Sequence, residues 1–116
     1  MAFELHYYQT EAHERPFVAW LEALHDRQAR TRIEARLARV AVGNFGDRRA
    51  VGEGVLELRI DWGAGYRIYF AHVGQLLLLL LCGGDKRSQQ EDIENAKAYF
   101  KDFKRRTAQR GPRRRG

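Results

Sequence analysis

The chain has little of the residue chemistry on which metal, redox and membrane roles depend. Cys82 is its one cysteine in 116 residues, so no disulfide framework can form within it, and a reducing, cytoplasmic setting is expected. Its place at the end of a leucine run reads as a buried, inert thiol rather than a nucleophile. The four histidines, His6, His13, His25 and His72, are scattered and supply no set of ligands at zinc spacing. Neither a metal nor a cofactor is therefore expected. The longest apolar run, Leu76 to Cys82, is far shorter than the roughly 20 residues that a membrane helix needs. The start, Met-Ala-Phe-Glu-Leu-His, has no basic stretch followed by an apolar one, so no signal peptide is expected. Gly83 to Ser88 is too short for a phosphate-binding loop.

What is present is a modest core and an uneven charge. Hydrophobic residues make up 44% of the chain, the ordinary share for one globular domain of this length. The formal charge is +6, but it is local. Lys101 to Gly116 holds eight basic residues and one acidic, a net of +7, which leaves 13 basic and 14 acidic residues, a net of −1, in the first hundred. One folded domain over 1–106 and a disordered basic tail over 107–116 are expected, since Gly111 to Gly116 has nothing apolar to bury. Such a tail suits phosphate or an acidic partner, or is a solvated end.

Phe3, Leu5 and Tyr7 alternate with polar residues as a short strand. Pro16 suits the first turn of a helix, and Phe17, Leu21 and Leu24 give that helix a stripe ending near His25-Asp26. A second helix spans about Arg27 to Val42 with Ala29, Ile33, Leu37 and Val40 inward. Its arginines, 27, 30, 32, 36 and 39, read as a solvated face or a docking surface for an acidic partner. Gly43-Asn44 supplies a left-handed stop, and Phe45-Gly46-Asp47 continues as loop. Past Gly54 the period becomes two: Leu56, Leu58 and Ile60 alternate with Glu57, Arg59 and Asp61. Gly63-Ala64-Gly65 turns the chain, and Tyr66 to Val73 returns. Leu76 to Leu81, bounded by glycines, reads as a central strand apolar on both faces. Ser88 with Glu91 reads as a capping box for a last helix with Ile93, Ala96, Tyr99, Phe100 and Phe103 inward, ending near Arg106. The order is β-α-α-β-β-β-α, an α+β fold with a mostly antiparallel sheet, a helical hairpin on one face and a C-terminal helix.

Parity fixes the hairpin's faces. Residues directly opposite in an antiparallel pair share a face, so placing Leu58 and Phe70 in one core requires an odd connection or a bulge. Arg59, Arg67 and Tyr69 then share the other face, with Lys86 at the exit of the next strand. Arginines clamp phosphates and tyrosines stack on splayed bases, so the cluster suits RNA. Cleavage there would use the 2′-hydroxyl as nucleophile, with the protein aligning the strand and stabilising charge. The plainer reading is that Arg59 and Arg67 pair with Glu57 and Asp61.

The run from Gly52 to Phe70, with Glu57-Leu58-Arg59 and Gly65-Tyr66-Arg67-Ile68-Tyr69, resembles the G-x-G-x-x-E-L-R-x-x-x-G-x-G-Y-R-x-Y pattern of HigB-like, phage-derived addiction-module killer proteins of the RelE/ParE superfamily. Leu80-Leu81-Cys82-Gly83-Gly84-Asp85-Lys86 through Asp92-Ile93 is similar to a second segment of that family. The resemblance covers about residues 3 to 104. It implies the RelE/ParE fold, a toxin neutralised by a cognate helix-turn-helix antitoxin, and, for the RelE-like branch, metal-independent cleavage of mRNA, commonly on the ribosome. It implies Arg67 at the scissile phosphate, with Arg59 and Lys86 beside it as further catalytic candidates. Tyr66, Tyr69, Arg48 and Arg49 are the candidate substrate contacts. The best-known RelE-type enzymes carry lysines where this chain has Val55 and Glu57, and a tyrosine where it reads Gln89-Gln90-Glu91, so the base and acid stay open. A ParE-like toxin that binds DNA gyrase without catalysis, or an inactive toxin kept as an antitoxin-bound regulator, are the other readings.

Overall fold

The computed structural model describes residues 2–110. Strand β1 (Glu4–Tyr7) leads into helices α1 (Pro16–Ala23) and α2 (Arg27–Ala41). Four strands follow, β2 (Arg48–Gly52), β3 (Val55–Ile60), β4 (Tyr66–Val73) and β5 (Leu77–Gly84), and the chain closes with α3 (Gln89–Arg110). The fold is α+β, and the five strands form one sheet in the order β1-β5-β4-β3-β2. All neighbours are antiparallel except β1 and β5, which run parallel.

The sheet carries two cores, one per face. The α1–α2 hairpin covers one face, where Phe17, Ile33, Leu37 and Val40 meet Leu58, Ile68, Phe70, Leu78 and Leu80. Helix α3 covers the other, where Ile93, Ala96 and Phe100 meet Val55, Tyr69, Ala71, Leu79 and Leu81. Leu78 to Leu81 are therefore all buried on a central strand, each worth about 1.5–3 kcal/mol relative to exposure. Register follows the parity argument: Leu56 faces Phe70, Arg59 faces Arg67 and Ile60 faces Tyr66, across a five-residue turn closed by Gly65 N–H donating to Trp62 O at 3.0 Å. Arg59, Arg67 and Tyr69 do share a face, but α3 closes over part of it.

Local chemistry sets the ends of the helices. Asp26 caps α2 by accepting from Ala29 N–H at 3.1 Å. Its C-terminus closes when Gly43 N–H donates to Val40 O and Asn44 N–H to Arg39 O, both at 2.9 Å, with Gly43 at φ +92°. That double bond is the Schellman closure, which favours glycine at this position.

Three expectations are corrected. A strand, β2, occupies Arg48–Gly52, joined to β3 by the two-residue turn Glu53-Gly54, with Gly52 opposite Val55. Both turn residues have positive φ, the primed geometry that matches strand twist. The capping box belongs to Asp85 and Ser88, not to Ser88 and Glu91. Asp85 accepts from the Arg87 and Ser88 amides and Ser88 Oγ accepts from Asp85 N–H, because a single 3-10 turn (Lys86–Ser88) precedes α3. Helix α3 also runs on to Arg110, past the end expected near Arg106. Residues 111–116, expected to be disordered, lie outside the described residues.

Candidate functional site

Where β3 and β4 leave the cover of α3, the sheet end opens into a cleft of about 310 Å³ bordered by Arg59, Tyr66, Arg67, Lys86, Asp47 and Asp61. Arg59 and Arg67 come from directly opposed positions on β3 and β4. Lys86 arrives from the far end of β5, held by its backbone N–H on Ala64 O at 3.3 Å, which ties the 3-10 turn to the β3–β4 turn. Tyr66 is half-buried, its ring edge-on to Trp20 at 6.2 Å.

Two like charges opposed on a sheet repel, and the two arginines answer this differently. Arg59 is exposed and makes no ion pair among the described residues. Arg67 is 5% exposed. Its Nη1 donates to Gly65 O at 2.9 Å, and its Nε lies 3.8 Å from Glu57 Oε2, too long for a hydrogen bond. The Arg67 Nε is a buried donor without a hydrogen-bond partner among the described residues.

Glu57 is the hub beneath the cleft. It is fully buried, and accepts from Arg49 Nε on Oε1 and from the Tyr69 hydroxyl and Gln89 Nε2 on Oε2, each at 2.9 Å. Burial pushes its pKa up, but the donors from Arg49, Gln89 and Tyr69 outweigh burial and hold the carboxyl below the usual glutamate range. The same network raises Tyr69 well above an ordinary tyrosine, first by burial and then by its bond to Glu57.

The expected residues thus divide. Arg59, Arg67, Lys86 and Tyr66 come together at the cleft. Tyr69 does not: it is wholly buried under α3 and bonded to Glu57, so no base can stack on it. Arg49 is spent on Glu57, and Arg48 lies over the Phe45 ring at 4.0 Å; neither borders the cleft, because β2 carries them to the sheet edge. Of the α2 arginines, Arg36 is no surface residue. It is buried and donates to the carbonyls of Phe45, Arg59 and Asp47 at 2.9, 2.7 and 2.8 Å, fixing the loop that borders the cleft.

Sequence reading missed Glu57 as a hub and Asp47 as a border. Glu57 shares its face with Tyr69, and whether that face is covered depends on where α3 lies. Glycine spacing behind the cleft is equally strict. A Cβ on Gly83 would run into the Trp20 indole, and one on Gly84 would meet the Asp92 carboxylate. No histidine borders the cleft, so Asp47, Asp61, Tyr66 and Lys86 are the groups there able to exchange protons. Among the described residues no cluster of three or more His, Cys, Asp or Glu is arranged to hold a metal ion, and no helix is long and apolar enough to cross a membrane.

The chain is similar to an uncharacterised protein of Haemophilus influenzae (strain ATCC 51907 / DSM 11121 / KW20 / Rd), 48% identical over 87 residues, 75% of this chain and 88% of the relative. It belongs to the family of that protein. No family model matches the chain.

Proposed function

We propose that this protein is the toxin of a type II toxin–antitoxin pair with a RelE/ParE-like fold, a metal-independent endoribonuclease that cuts mRNA, commonly on the ribosome, and blocks translation. The observation that carries the reading is the convergence of Arg59, Arg67 and Lys86, with Tyr66 beside them, on one open cleft. A β-α-α-sheet-α order with the helical hairpin on one face agrees with that fold, and the Glu57-Leu58-Arg59 and Gly65-Tyr66-Arg67 segments lie on the two strands that form the cleft.

In this reading a phosphodiester sits against Arg67. The neighbouring 2′-oxygen attacks phosphorus, the 5′-oxygen leaves, and a 2′,3′-cyclic phosphate forms. Arg67 and Arg59 stabilise the added negative charge, which a pre-aimed guanidinium does without reorganising. Buried, flanked by Glu57 and bonded through Nη1 to Gly65 O, Arg67 is held in place. Lys86, which flanks Gly65 together with the Arg67 guanidinium, gives a proton to the departing 5′-oxygen, and Tyr66 offers its ring to a base. Asp47 or Asp61 takes the 2′-hydroxyl proton, the remaining role that the cleft's groups can fill. The antitoxin is a cognate helix-turn-helix protein of the same operon, and the setting is cytoplasmic.

Inducing the protein alone and mapping RNA ends across the transcriptome tests this. New 5′-hydroxyl ends within mRNA, absent in Arg67→Ala, are expected. Growth arrest with intact transcripts and broken DNA would instead establish a gyrase poison of the ParE kind.

A further inference from the structure

Resting on the ribonuclease reading, we infer that the cleft continues into a second nucleotide subsite on α2, where Arg32, Arg39 and Trp62 hold the single-stranded RNA that flanks the scissile phosphate. Ile60 and Asp61 wall both the cleft and a neighbouring hollow of about 250 Å³. The far side of that hollow is α2. Arg32 and Arg39 stand seven residues apart, hence on one helix face, and the short Ala35 between them keeps the hollow open. Trp62 closes its end. The Arg32 guanidinium carbon sits 3.8 Å from the Trp62 ring centroid, while the indole N–H donates to Asp26 Oδ2 at 3.3 Å.

Three features point to a nucleic-acid strand. First, Arg32 and Arg39 have no carboxylate partner among the described residues, whereas Arg36, between them on the helix, is consumed by three carbonyls. Two arginines on this face thus have no counter-ion among the described residues, Arg32 while stacked on Trp62. Second, the hollow repeats the chemistry of the cleft, cations beside one aromatic ring, which is the composition that tracks a backbone and stacks bases without reading sequence. Third, the two depressions share a wall, so one strand can occupy both. The Asp61 carboxylate on that wall repels a phosphate directly over it, which places phosphates to either side, one against Arg67 and Lys86 and the next over Arg32 and Arg39.

The test uses the whole protein and fluorescent 2′-O-methyl RNA of mixed sequence, which cannot be cleaved, four and eight nucleotides long. Wild type is expected to bind the longer probe more tightly. The Arg32→Ala/Arg39→Ala variant should lose that length advantage, and its slope of log affinity against log salt on the longer probe should fall by about 0.7 per arginine. Trp62→Ala should weaken the longer probe about tenfold with no change in slope. Unchanged affinity and slope in the double-arginine variant would overturn the subsite and leave the ribonuclease reading standing. Escape of that variant from its antitoxin, with RNA binding intact, would overturn it in favour of a protein-docking face. No binding of either probe by wild type at low salt would overturn both readings.

Discussion

Arg67 and Glu57, on adjacent strands and the same sheet face, lie with Nε and Oε2 3.8 Å apart and with side chains 6% and 0% exposed. The pair is unequal. Among the described residues Glu57 has three other donors, whereas Arg67 has one hydrogen bond, to Gly65 O, and relies on Glu57 for its counter-charge. Removing either member therefore has different consequences.

Glu57→Ala leaves a buried guanidinium uncompensated and strands Tyr69 and Gln89, a loss of about 3–5 kcal/mol. Arg67→Ala keeps the carboxylate fully bonded, so its cost stays within about 0.5–3 kcal/mol, while on the proposed ribonuclease reading RNA cleavage should fall by about 10²–10³-fold. Urea denaturation and single-turnover cleavage measured on both variants separate the two effects. Equal stability losses, or an Arg67→Ala enzyme that cuts normally, would show that the pair is mere scaffolding.

Gly83→Ala and Gly84→Ala are predicted to destabilise by overpacking. The methyl group added by the first would penetrate the rigid Trp20 indole, which is itself packed against Phe17 and Tyr66. The one added by the second would displace the Asp92 carboxylate, which accepts from Ser88 Oγ. Each should lose at least about 1–3 kcal/mol, read as a lower melting temperature by calorimetry. Trp20→Ala should restore part of the loss in Gly83→Ala; additive losses would show that contact with the indole is not the cause.

Period and parity made much of this architecture legible. The α2 stop at Gly43-Asn44, the shared face of Leu58 and Phe70 and that of Arg59, Arg67 and Tyr69, and a β5 strand apolar on both faces follow from residues within a few positions of one another. Strand β2 was hidden because it is an edge. Arg48, Arg49 and Ala50 are exposed, so no alternation marks them; the Glu53-Gly54 turn was the remaining signal. Tyr69 went astray for a non-local reason. Its face was assigned correctly, but whether that face meets water or protein depends on where α3 lies, which local pattern does not encode. Among the α2 arginines, Arg36 shows the same limit, since its burial depends on a loop nine residues ahead.

Cys82 should be unreactive in the folded protein. It is 6% exposed and burial, with Asp92 nearby, pushes its thiol up to about 12, so the thiolate fraction at pH 8 is about 10⁻⁴. Reaction with a disulfide reagent should be negligible in buffer and complete within minutes in guanidinium. Rapid native labelling would mean that the lid formed by α3 over β5 opens readily.

The C-terminal half of α3 is tied to Tyr8, the residue that follows β1, by Asp102, and this tie should be acid-labile. Asp102 accepts from the Tyr8 hydroxyl at 2.6 Å and from Arg106 Nε at 2.9 Å, and Arg105 also reaches it. The Tyr8 and Arg106 bonds lower its carboxyl to about 2, against about 3.9 for an unfolded aspartate. A group with a depressed folded pKa stabilises the fold above its unfolded value and ceases to as pH falls through the folded one. The contribution of Asp102 is therefore complete above about pH 5 and disappears between about pH 4 and pH 2. Tyr8 reports from the other side, because burial and the same hydrogen bond raise it to about 12. Asp102→Asn should melt below wild type at pH 7, and the gap should close as pH falls to about 2. A gap independent of pH would show that the lost carboxylate acted by shape rather than charge.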